Sequence, residues 1–197
     1  MKLITSQTVM LETPKIKRAT DIVPTTTSLP DGRVLLIDVM TDSQLSQTFA
    51  MIVEASKSGN GFGVDEYTSE KEFRQDIAGS YNFAVMSKDD GEMVAAFLIT
   101  VSKFYRGTHV ADPFVIIKKS ERGKGIGEHC FKLCVDFARE LGFMGMYVDT
   151  FINNKAMIKI IETVGGFQQV GCLPMGGRMK DGSFVSSLIF YRDFRQT

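Results

Sequence analysis

The chain has no tryptophan, two histidines, three cysteines and five prolines, and its charges cancel, 23 Lys and Arg against 23 Asp and Glu. Each shortage excludes something. Three cysteines cannot build a disulfide framework, and with two histidines and no CxxC pattern they do not read as a zinc site, so no metal is expected. Cys130 and Cys134 fall four residues apart, the spacing of one helix face, which suits buried thiols. Charge balance leaves no global field drawing the protein to nucleic acid or to an anionic membrane, and neither is expected as a partner. No apolar run approaches the about 18 residues needed to cross a bilayer. The first seven residues, Met1 to Gln7, turn polar too soon for a signal peptide. A reducing intracellular location follows as the expectation, cytoplasmic or nuclear.

What is present is an ordinary globular composition: 197 residues, 44% apolar and 23% charged, enough for one domain with a sizeable core. Residues 1–32 are rich in Thr, Ser, Pro and Lys, show no sustained period and end at the turn Pro30-Asp31-Gly32. They read as an N-terminal arm with short strands at Leu3–Val9 and Ile22–Val23, ahead of a domain over 33–197. The arm's scattered apolar residues predict that it packs on its own domain or exchanges within a homodimer.

In the domain, Arg33–Val39 reads as a strand. Thr41 with Gln44, and Ser69 with Glu72, have capping-box spacing and open two helices. Tyr81–Met86 and Met93–Val101 flank a hairpin turn at Lys88-Asp89-Asp90-Gly91. The strand around His109–Ile117 ends in the continuous apolar run Val115-Ile116-Ile117, suited to burial on both faces. A helix over Ile126–Leu141, a strand over Met144–Phe151, a helix capped by Asn154 and a hairpin over Phe167–Tyr191 complete the chain. The order β-α-α-β-β-β-α-β-α-β-β predicts an α/β or α+β sandwich around one sheet.

The segment Arg122-Gly123-Lys124-Gly125-Ile126-Gly127 lies between the buried strand and the long helix. Glycines let a backbone approach a ligand closely, and the free N–H groups of a helix start favour an anion. Lys118, Lys119, Arg122 and Lys124, less Glu121, give a local charge of +3. Phosphate is the ligand this asks for. The loop lacks the Lys-Ser/Thr ending of an ATP-binding P-loop and the glycine spacing of a dinucleotide fold.

Arg122, Gly125 and Gly127 match [QR]-x-x-G-x-[GA], so the segment resembles the pyrophosphate loop of the GNAT family of acetyl-CoA-dependent N-acetyltransferases, and the element order over residues 34–194 follows that family. The resemblance implies a single mixed sheet, mostly antiparallel with a central splayed parallel pair, flanked by helices on both faces. It implies acetyl-CoA as co-substrate. Phe114, Val115 and Ile116 then offer backbone groups to the pantetheine arm, Arg122, Gly123, Lys124, Gly125, Ile126 and Gly127 hold the pyrophosphate, and Asn154 reaches the cofactor arm or serves as a helix cap. The implied reaction is transfer of acetyl to a primary or secondary amine of a small molecule or amino acid. The alternatives are a protein or peptide N-acetyltransferase and a catalytically weak acyl-CoA-binding module.

The Tyr that many relatives use as acid falls here on Ile161, so the proton donor is unassigned. His109 and Asp112, on or beside the strand before the loop, and Asp149, near the end of the next strand, are the candidate catalytic residues. Tyr105, Tyr147 and Phe151 read as packing or substrate-wall residues, and Arg178 as a surface residue, with contact to a substrate carboxylate as the alternative.

Overall fold

Capping chemistry sets the helix starts as the sequence predicts. The Gln44 N–H donates to Thr41 Oγ1 at 3.3 Å and the Thr41 N–H to Gln44 Oε1 at 2.8 Å. At the second site the Glu72 N–H donates to Ser69 Oγ at 3.2 Å, but the Glu72 carboxylate reaches one residue further back, to the Thr68 N–H and hydroxyl. The computed structural model describes residues 17–57, 67–102, 107–179 and 181–195. Its elements are β1 (Thr25–Ser28), β2 (Val34–Val39), α1 (Asp42–Lys57), α2 (Glu70–Asp76), β3 (Tyr81–Ser87), β4 (Met93–Val101), β5 (Val110–Ile117), α3 (Ile126–Leu141), β6 (Gly145–Phe151), α4 (Lys155–Val164), β7 (Gln168–Arg178) and β8 (Phe184–Asp193).

The strands form one sheet in the order β1-β2-β3-β4-β5-β6-β8-β7. Every neighbouring pair is antiparallel except β5–β6. Alternate residues feed two cores, one on each face. On one face Ile37, Phe83, Phe97, Ala111 and Met146 meet Ile126, Cys130, Phe131 and Leu141 of α3 and Ile161 of α4. On the other, Ala84, Ala96, Leu98 and Ile116 meet Ile52 and Ala55 of α1 and Phe73 of α2. This single mixed sheet with helices on both faces is the architecture that the resemblance implied.

The strand expected at Ile22–Val23 is displaced. Ala19–Asp21 is a 3-10 turn, and pairing begins only after Pro24, which has no N–H to donate, with Thr25 opposite Ile37. Val23 and Leu29 are buried in the α3-side core. Thr27 Oγ1 lies 3.0 Å from His129 Nε2 on α3, and the Lys17 N–H donates to the Leu141 carbonyl at 2.9 Å. Residues 17–32 are thus part of the domain's packing. The strand expected at Leu3–Val9 lies outside the described residues.

Candidate active site

β5 and β6 are bridged only at Val110–Gly145 and Ala111–Met146 and then diverge. The gap opens toward the C-terminal end of β5, where the glycine loop follows. Pro113 sits just past the last bridge. The Val110 and Asp112 carbonyls both accept from β4-side groups, at Ser102 and Thr100. By alternation the peptide groups of Pro113, Val115 and Ile117 face the gap. A proline is tolerated in this central strand because the N–H it lacks has no strand to reach. The three residues expected to offer backbone groups are therefore divided. Val115 presents its peptide to the gap, whereas Phe114 and Ile116 are turned toward their β4 partners Leu98 and Ala96.

In the loop, Gly123 and Gly125 have φ of +77° and +81°, a region that L side chains rarely enter, and a β-carbon at either would meet nothing within 4 Å. Their backbone is therefore open on the outer side. Gly127 is different: it is helical, and its β-carbon would stand 3.4 Å from Ile160 Cδ1, so it serves the α3–α4 contact. No side chain caps α3, leaving the first-turn N–H groups without a helical partner.

The expected surplus of positive charge is offset by acids remote in sequence. Glu54 on α1 pairs with Arg122 at 2.9 Å and Lys119 at 3.1 Å; Glu92 pairs with Lys118 at 3.1 Å. Glu121 pairs with Lys124 at 3.0 Å and with Arg33 at 2.9 Å. Arg33 also donates to the Lys124 carbonyl, at 3.4 Å. The Lys119 and then the Arg122 cations hold the Glu54 carboxyl below its ordinary range.

Alternation places Asp112 on β5 and Tyr147 and Asp149 on β6 on the α1/α2 side of the sheet, since Ala111, Met146 and Val148 face the α3 side. Tyr147 is buried and hydrogen-bonded to the exposed Asp149. Burial first, then the Asp149 charge and hydrogen bond, then the Asp112 charge, hold the phenol protonated well above its usual range. Both carboxylates are thus felt at one hydroxyl.

His109 is exposed in the turn before β5, and its carbonyl accepts from the Met144 N–H at the closed end of the gap. At about 3.3 Å per residue, Asp112 is about 16 Å along the strand from Ile117 at the loop end and His109 about 26 Å. Asn154 Oδ1 accepts from the Met157 N–H at 3.2 Å, so its carbonyl caps α4 while its NH2 has no partner among the described residues. Ile161, at the position of the usual Tyr, is 1% exposed and belongs to the α3-side core. Cys130 and Cys134 are buried in α3; burial pushes the Cys130 thiol up to about 12 and Cys134 well above its ordinary value. Neither is an activated nucleophile. Phe151 packs under Gly177, where a β-carbon would collide with its ring. Arg178 is exposed at the end of β7, and Tyr105 lies outside the described residues.

Sequence reasoning missed the pairing of Tyr147 with Asp149. The signal available was their i,i+2 spacing in a strand whose alternate residues are apolar. It also missed Glu54, for which the sequence carries no signal beyond a helix position.

Solved structures share this architecture at low sequence identity. A GCN5-related N-acetyltransferase from Kribbella flavida superposes with TM-score 0.71 and 18% identity, over 81% of this chain and 97% of that one. The GNAT superfamily phosphinothricin acetyltransferase from Sinorhizobium meliloti, in complex with AcCoA, gives 0.71 and 16%, over 81% and 88%. The ribosomal-protein-alanine N-acetyltransferase from Brucella melitensis gives 0.69 and 20%, over 80% and 99%. Among curated proteins none matches the chain in sequence. The family model of the acetyltransferase (GNAT) family matches residues 49–167, more than half of the protein, and with that match the chain belongs to the GNAT acetyltransferase family.

Proposed function

We propose that the protein transfers acetyl from acetyl-CoA directly to a primary or secondary amine of a small molecule. The observation that carries this reading is the juxtaposition of the open glycine loop, the gap between β5 and β6, and two carboxylates with a buried phenol beside that gap. The loop fits a pyrophosphate because two left-handed glycines leave room where β-carbons would stand and the start of α3 is uncapped. Val115 would pair with the amide-bearing arm as a strand would, and the Asn154 NH2, without a partner among the described residues, would be free to reach the same arm. Five residues of extended β5 separate the loop from Asp112, about the span of an extended phosphopantetheine arm.

Acetyl-CoA supplies an activated thioester; the residues must bind a cationic amine, take its proton and admit the neutral form. Asp112 and Asp149 provide the negative field that draws in an ammonium group, and Asp149, the exposed member, takes its proton. Tyr147 donates its hydroxyl to Asp149 and fixes the carboxylate's orientation. His109, beyond the closed end of the gap, has no part in this scheme. With Ile161 in the core, no side chain from α4 replaces the usual acid, and the departing thiolate is protonated from solvent.

The test is acetyl-CoA thiol release over a panel of diamines, amino acids and basic peptides. Release with small amines supports the reading. Release with peptides alone makes the protein a peptide N-acetyltransferase, and release with none, alongside cofactor binding, makes it an acyl-CoA-binding module.

A further inference from the structure

The loop that should attract phosphate has its two best-placed cations already engaged. Arg122 donates Nε to the Ile117 carbonyl at 3.1 Å and Nη2 to Glu54 Oε2 at 2.9 Å, while Lys119 Nζ lies 3.1 Å from Glu54 Oε1. One carboxylate therefore bridges both cations with its two oxygens, as a phosphate would. The arrangement is open to exchange, because the Glu54 and Arg122 side chains are 35% and 37% exposed, so neither is locked in place by packing. Glu54 also comes from α1, which packs on the face carrying Asp112 and Asp149, the side where the acceptor would enter.

We propose that Glu54 is an internal stand-in for phosphate, which occupies Arg122 and Lys119 until the phosphates of coenzyme A displace it and release α1 from the cofactor loop. This rests on the coenzyme A reading of the loop. Two consequences follow from charge alone. The protein's own anion competes with the ligand, so removing it strengthens coenzyme A binding. The competition is electrostatic and partly exposed, so the gain shrinks as salt screens it. Glu121 does not play this role: it ties Lys124 to Arg33 on the opposite flank and braces the loop from β2's side.

The experiment is calorimetric titration of coenzyme A into the wild type and Glu54→Gln at low and high salt. The expected result is an affinity about threefold to tenfold higher in Glu54→Gln at low salt, with a smaller difference at high salt. Glu70→Gln, which removes the same charge from α2, should change the affinity less. In an Arg122→Gln/Lys119→Gln background the Glu54→Gln gain should vanish. An affinity that falls or stays the same in a Glu54→Gln protein melting like the wild type would overturn the proposal and leave Glu54 as a brace for the loop, with the coenzyme A reading intact. If the wild type itself binds no coenzyme A, both fall together.

Discussion

At the scale of single residues, the account places its chemistry on Asp149, Tyr147 and Asp112. Asp149→Asn keeps the hydrogen bond from Tyr147 but cannot take a proton, so turnover should fall by about 10² or more while acetyl-CoA affinity stays within twofold. Tyr147→Phe removes only the hydrogen bond that aims the carboxylate. Its turnover should fall less, about tenfold, with acetyl-CoA affinity unchanged. Steady-state kinetics across pH 5 to 9 check both, and unchanged profiles in the two variants would remove the pair from the mechanism. Gly125→Val forces a branched side chain into φ of +81°, so the loop must rearrange. Its acetyl-CoA affinity should fall by at least ~1.4 kcal/mol, about tenfold. Calorimetry on the folded variant checks it. These residues were unevenly legible. Gly123 and Gly125 were readable because only glycine tolerates their backbone. The Tyr147–Asp149 pair was not, because a tyrosine in an apolar strand reads as packing until its partner is seen.

Among the elements, α3 was the most legible, bounded by Gly125 at its start and Gly142 in left-handed conformation at its end. β1 was the least. Thr25 to Ser28 have no apolar alternation, and the strand exists because β2 offers it an edge and α3 a hydroxyl partner. The segment before β2 carries Leu29, 4% exposed in the main core, so Leu29→Ala should cost about 2–5 kcal/mol in a denaturant melt. The β1–α3 contact also gives a pH dependence. Burial first, then Lys132, lower the His129 pKa below its ordinary value of 6.5. The folded protein therefore binds this proton less readily than the unfolded chain. The stability involved is present above about pH 6.5 and is lost as pH falls through the folded value. The melting temperature of the wild type should drop more steeply between pH 7 and 5 than that of His129→Gln, and parallel curves would remove His129 from the contact's energetics.

For the whole molecule, the proposed cofactor site depends on the sheet's one parallel pair. Two bridges hold β5 to β6, and beyond them each strand keeps only its outer neighbour, β4 for β5 and β8 for β6. That opening was legible only through family resemblance, since a parallel pair that diverges leaves no mark on hydrophobic periodicity. The partners of the loop's cations are illegible for a similar reason: the pairing of Glu54 and Glu92 with them, which offsets part of the local positive charge, depends on tertiary placement. The measurement that tests the central claim most directly is amide hydrogen exchange across the whole chain, with and without acetyl-CoA. The account predicts slowed exchange at Val115 and at Gly123 to Glu128, with the start of α4 following, and little change along β1 and β2. Bound acetyl-CoA that slows exchange elsewhere and leaves Val115 and the α3 start unchanged would contradict it.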